Sequence, residues 1–120
     1  MNAMSTASAS ATATSAASSA EENRVFDAAA QLFTVLSTPI RLKILSALCD
    51  GEMSVSQLLE KVGSSQPNVS QHLTVMQRAG VLAKRKEGTL VIYRIDSERA
   101  KNVCRSVVVQ IAMEQEETAC

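Results

Sequence analysis

Aromatic side chains are almost missing from this sequence. Phe26, Phe33 and Tyr93 are the full complement, and there is no tryptophan. Aliphatic residues and methionine must therefore fill the interior, and a chain of 120 residues has room for one small core at most. A domain this small often completes its core against a second copy. No apolar run approaches the roughly 18 residues that a helical membrane span needs. Histidine is reduced to His72, and the cysteines at 49, 104 and 120 lack the spacing of a zinc ribbon. No Ser/His/Asp set, carboxylate pair or Gly-rich phosphate loop is present, so an enzyme is not expected and no cofactor is implied.

The N-terminal stretch lacks large side chains altogether. Residues 5–20 contain only Ser, Thr and Ala. Nothing there can offset an ordering cost of roughly 1–2 kcal/mol per residue, so residues 1–22 are expected to form a disordered tail, or else an Ala-rich extension of the following helix. The stretch has neither the Leu-rich core of a secretory signal nor the arginines of a mitochondrial presequence, since the first arginine is Arg24. A reducing cytoplasm with free thiols is the expected setting.

Net charge is also absent, but the zero conceals a segregation. Between residues 61 and 94 stand Lys61, Arg78, Lys84, Arg85, Lys86 and Arg94 against a single acid, Glu87. A basic face on a neutral protein is an electrostatic footprint for phosphates, although a solvated lysine face has the same composition.

Apolar periodicity supplies the elements. Val25, Ala29, Leu32 and Leu36 predict a helix over 24–36. In STPIRLKILSAL, Thr38 is an N-cap and Pro39 occupies the first helical position, where its missing N–H costs nothing. Ile40, Ile44, Leu45 and Leu48 give that helix its inner face. SVSQLLEKVG starts on a capping-box pattern, Ser54 with Gln57, and stops at Gly63. A short GSS turn leads to QPNVSQHLTVMQRAG, with Val69, Leu73 and Met76 as the buried stripe. Two short helices joined in this way make a helix-turn-helix. VLAKRKEGTLVIYRID then shifts to period two and predicts a β-hairpin with basic arms, turning at Glu87-Gly88-Thr89. From 98 to about 115, Ala100, Val103, Cys104, Val107, Val108, Ile111 and Ala112 recur at three and four. With no later element to cover it, this helix reads as a docking or dimer helix, and residues 117–120 as a short tail.

The fourth helix carries the functional signal. Its expected surface is Ser65, Gln66, Asn68, Ser70, Gln71 and Thr74, which are short polar groups where Glu and Lys would be usual. Gln and Asn pair with adenine edges, Ser and Thr reach phosphate or base atoms, and a helix start attracts a phosphate. Solubility alone explains the polarity of these positions, but not the shortage of charge or the basic hairpin that follows.

STPIRLKIL, SVSQLLEKVGSSQPNVSQHLTVMQRAGVL and KRKEGTLVIYRI together resemble the ArsR/SmtB family of bacterial winged-helix repressors, over residues 24 to about 115. The resemblance implies a mainly α, winged helix-turn-helix domain over 23–116 and a homodimer joined by its first and last helices. It implies a recognition helix from Gln66 to Ala79 bound to double-stranded operator DNA, with Arg85 and Lys86 on the wing, and release by a small inducer. His72 matches the family's SxHL pattern. A packed or hydrogen-bonded histidine is the expected role there, because zinc needs further ligands.

The inducer is where the chain departs from the metal sensors. Their ELCVCDL frame reads EMSVSQL here, with Ser54 and Ser56 at the thiolate positions, and hydroxyls are poor ligands for soft metals. The last helix, CRSVVVQIAMEQEE, lacks the Asp and His of the other family site. No metal site is expected. Cys49 and Cys104 remain, one on each of the two helices that carry a switching cysteine pair in the family's sulfur- and redox-responsive branch. Their neighbourhoods are similar to repressors of sulfur oxidation, although that branch would place the thiols nearer Ser46 and Ala112. The resemblance therefore implies thiol sensing of reactive sulfur or oxidant. Simple packing of both cysteines, with another inducer, stays open. So does an arsenite site built from Cys49, Cys104 and Cys120, and so does a protein–protein module without operator specificity.

Overall fold

The computed structural model describes residues 15–119. The chain divides into two compact units, one up to Thr34 and one from Val35 onward. Eight elements follow in order: α1 (Ser15–Val35), α2 (Pro39–Leu48), β1 (Met53–Ser54), α3 (Val55–Val62), α4 (Gln66–Arg78), β2 (Leu82–Glu87), β3 (Leu90–Ile95) and α5 (Glu98–Ala119).

α1 starts earlier than the sequence suggests. Residues 15–22, expected in the tail, are helical, and the rest of that expected tail, residues 1–14, lies outside the described residues. Alanine has the highest helix propensity, and lengthening an existing helix needs no new nucleus. α5 likewise continues through 117–119, where a tail was expected. Val25, Phe26 and Phe33 of α1 are exposed.

The second unit is built around α2. Its Thr38 cap accepts a hydrogen bond from the Arg41 N–H, Pro39 opens the helix, and Ile44, Leu45 and Leu48 are buried. α2 packs against α3, α4 and α5. The Ser54–Gln57 capping box forms in both directions: the Gln57 N–H donates to Ser54 Oγ, and the Ser54 N–H donates to Gln57 Oε1. α3 ends on Gly63, whose φ of +72° is a left-handed conformation that glycine adopts at little cost. Three residues later α4 begins, capped by Ser65. Val69, Leu73 and Met76 meet Leu58, Val62, Val81 and Leu82 in one aliphatic core, joined by Tyr93, Ala100 and Cys104.

The sheet is antiparallel with order β1-β3-β2. β2 and β3 form the expected hairpin, with Glu87 opposite Leu90 and a two-residue loop. Gly88 has φ of +61° and no other residue there is positive, which fits a II′ turn. β1 is a strand the sequence does not reveal: Met53 pairs with Tyr93 and Ser54 with Ile92. Two residues are too few to show a period, and these two are ordered by the ladder they join.

Candidate nucleic-acid interface

α4 seals one side and leaves the other polar. Gln66, Gln71 and Thr74 are exposed, Ser70 and Asn68 are half-buried, and Ser65 is exposed at the cap. Three of these groups already hold local bonds. Ser65 Oγ accepts the Asn68 N–H, Asn68 Nδ2 donates to Ser64 Oγ at 2.8 Å, and Thr74 Oγ1 donates to the Ser70 carbonyl. Gln66 and Gln71 make no side-chain hydrogen bond among the described residues, so their amides are the unengaged heads of the face. Intrahelical bonds fix the remaining groups rather than disqualify them, since each keeps a lone pair or proton to offer.

His72 is placed by a bond the sequence only hints at. Arg41 Nε donates to His72 Nδ1 at 3.0 Å, and Arg41 Nη1 donates to the Val35 carbonyl at 3.0 Å. One guanidinium thus ties the middle of α4 to the end of α1, and the histidine takes its expected hydrogen-bonded role. Among the described residues no group of three or more His, Cys, Asp or Glu is placed to hold a metal ion.

The hairpin changes the expected charge pattern. Arg85, expected on the wing as a DNA contact, is bracketed by two carboxylates, Glu52 at 2.6 Å and Glu87 at 3.1 Å. The Arg85 hydrogen bond holds the Glu52 carboxyl below its ordinary value, and Glu52 and Glu87 raise that of Arg85. Glu52 lies outside the basic segment in sequence, and the β1–β3–β2 ladder brings it there. Arg94 stands 3.9 Å from Asp96. Lys84 and Lys86 are exposed and form no ion pair among the described residues, so they carry the hairpin's unpaired positive charge.

The two described thiols both adjoin α2, one at its C-terminal end and one beside Leu42 in its first half. Cys49 is its C-cap and is half-buried, while Cys104, on α5, is 2% exposed. Cys104 Sγ donates to the Leu42 carbonyl at 3.8 Å. Burial pushes the Cys104 thiol above its ordinary value, and Cys49 adds a smaller electrostatic push in the same direction. The fold thus places cysteines 55 positions apart in the chain on two helices that pack together. Cys120 lies outside the described residues.

Residues 38–84 match the model of the bacterial regulatory protein arsR family. The chain is 37% identical over 73 residues to the HTH-type transcriptional regulator KmtR of Mycobacterium tuberculosis, covering 61% of this chain and 56% of that protein. It is 32% identical over 78 residues to the biofilm growth-associated repressor of Xylella fastidiosa, covering 65% and 68%. Among solved structures, reduced HlyU from Vibrio cholerae superposes with a TM-score of 0.69 at 32% identity, covering 72% of this chain and 92% of that one. A homodimeric winged helix-turn-helix DNA-binding domain from Mycobacterium bovis superposes with a TM-score of 0.67 at 27% identity, covering 80% and 89%.

Proposed function

The chain belongs to the arsR family of bacterial regulatory proteins, and on that premise we propose that it is a homodimeric, DNA-binding transcriptional repressor whose operator affinity falls when Cys49 and Cys104 react. α4 enters the major groove. Gln66 and Gln71 read base edges there, with Ser65, Asn68, Ser70 and Thr74 placed for phosphate or base contacts. Lys86 on the hairpin meets the adjacent backbone, and Arg85 does so only by exchanging carboxylate for phosphate.

Dimerisation accounts for an otherwise costly surface. Val107, Val108 and Ile111 form an exposed aliphatic row on α5, and α1 exposes Val25, Phe26 and Phe33. A second copy covers both rows.

The observation that supports the thiol reading is that Cys49 caps α2 while Cys104 lies on α5, which packs on α2 and bonds it at Leu42. The half-buried Cys49 is the accessible nucleophile, and the sealed, protonated Cys104 is the resolving partner. With a hydrogen polysulfide, the Cys49 thiolate takes a sulfur atom and expels a sulfide chain shorter by one. Cys104 then attacks the Cys49 persulfide, releases hydrosulfide and closes a disulfide, its proton leaving to solvent. The product joins α2 to α5, and the Cys104–Leu42 contact is lost. Because α2 also holds α4 through Arg41 and His72, its displacement reaches the DNA-reading helix.

Anisotropy titrations of reduced protein against its own promoter duplex, before and after polysulfide, peroxide or arsenite, test both parts. Operator binding tighter than to random duplex, weakened by polysulfide and insensitive in Cys49→Ser and Cys104→Ser, is the expected result. Binding that never discriminates the promoter removes the repressor reading. A normal response in both serine variants removes the thiol reading and leaves the repressor intact.

A further inference from the structure

A groove of about 400 Å³ opens between the start of α3, the start of α4 and the hairpin, with Ser56, Gln66, Ser70, Lys84 and Tyr93 among its walls. Tyr93 forms its inner surface. It sits on the central strand between Met53 and Lys84 and is 5% exposed. A buried tyrosine normally places its hydroxyl on a partner. The Tyr93 hydroxyl has none among the described residues, yet it is not a sealed, unsatisfied atom, since no such atom occurs there. The residue is enclosed, its oxygen keeps a small exposed area, and Tyr93 lines the groove. Burial holds the hydroxyl above its ordinary pKa, so it remains a neutral donor.

The surroundings are donors as well. Lys84 lies directly across the ladder from Tyr93, on the same face. The capping box uses the N–H groups of Ser54 and Gln57, which leaves those of Val55 and Ser56 at the positive end of α3. The Ser56 and Ser70 hydroxyls complete the wall. No carboxylate lines the groove, although Glu52 and Glu87 are both engaged close by on Arg85.

From this convergence of an unpartnered hydroxyl on a buried tyrosine, an unpaired ammonium and a helix start on one acid-free groove, we infer that it seats a phosphodiester group of the DNA backbone, held by Tyr93 and Lys84. The inference rests on the DNA-binding reading above and adds residues outside the expected recognition set. Such a seat fixes the register of α4 against the duplex without reading sequence.

Anisotropy titrations of the full chain against promoter and random duplexes, over a series of salt concentrations, provide the test. Tyr93→Phe keeps the ring and the core. It is expected to weaken binding to both duplexes by a similar factor, roughly tenfold. Lys84→Gln is expected to shrink the slope of log affinity against log salt by about 0.9. A single methylphosphonate at the seated position should weaken the parent protein and weaken the double variant Tyr93→Phe/Lys84→Gln far less. Parent protein that discriminates its promoter, with both variants unchanged in affinity and slope, overturns the seat while leaving the repressor reading standing. So does inorganic phosphate that shifts the Tyr93 ring resonances while Tyr93→Phe leaves DNA affinity intact, because the groove would then hold a free anion. If Tyr93→Phe fails to fold, the exposed Lys84→Gln variant decides.

Discussion

α4 and α5 are both helices with one apolar row, and they finish that row differently. In α4, Val69, Leu73 and Met76 are all sealed by the rest of the chain. In α5 only the first two turns are sealed, at Ala100 and Cys104. Beyond them Val107 is 49% exposed and Ile111 is 49% exposed. A closed row belongs to the folding of one chain, whereas an open row of this length calls for another surface. The order of α4 is thus set within the protomer, and in the proposed dimer the outer half of α5 is set by association.

The largest effect expected from breaking this contrast is in α4. Leu73→Ala should lower the unfolding free energy by about 2–5 kcal/mol in urea titrations, by the same amount at low and high protein concentration. A loss that disappears at high concentration would mean that α4, too, is held by a partner. Next comes α5. Ile111→Lys should leave helix content by circular dichroism intact and weaken self-association by about 2–3 kcal/mol, roughly 30- to 150-fold, in sedimentation equilibrium. An unchanged association constant would move the dimer contact elsewhere.

The smallest effect lies at the boundary between the sealed and open parts, at Cys104. Its folded pKa is raised, so the protonated thiol is favoured by the fold. That contribution is complete below the ordinary thiol value of 9.0 and declines as pH rises through it toward the folded value. Urea midpoints should therefore fall just above pH 9.0 in the parent protein. Cys104→Ser should remove this decline, leaving only the later one from Tyr93, whose value is raised from 10.0. An identical alkaline profile in the two proteins would rule out Cys104 as its source.

Much of this architecture is legible locally. Thr38 before Pro39, the Ser54–Gln57 box and the stripe at 69, 73 and 76 each announce an element through short-range bonds, and short-range bonds survive translation from pattern to fold. The polar side of α4 is legible for the same reason, as the complement of its stripe. What escapes is whatever depends on residues distant in the chain meeting through the sheet. Glu52 gives no sign that it will neutralise Arg85, because β1 has only two residues and no period of its own. Tyr93 reads as an ordinary core aromatic until its ring and Lys84 are seen on one face beside α3. The cysteines are visible as thiols, but their placement on neighbouring helices is a matter of how α5 packs on α2. The low-complexity start misleads in the opposite direction: Ser and Ala carry no core, yet they extend a helix that later residues have already nucleated.

The bond from Arg41 to His72 leaves the imidazole with Nδ1 as acceptor and the proton on Nε2. Since His72 is the only histidine of the chain, the molecule contains its own spectroscopic reporter, one ring near the middle of α4 with no overlapping signals. Its two nitrogen shifts identify the tautomer in a single spectrum of uniformly labelled protein. Any event that loosens α2 from α4 can then be followed without attaching a probe.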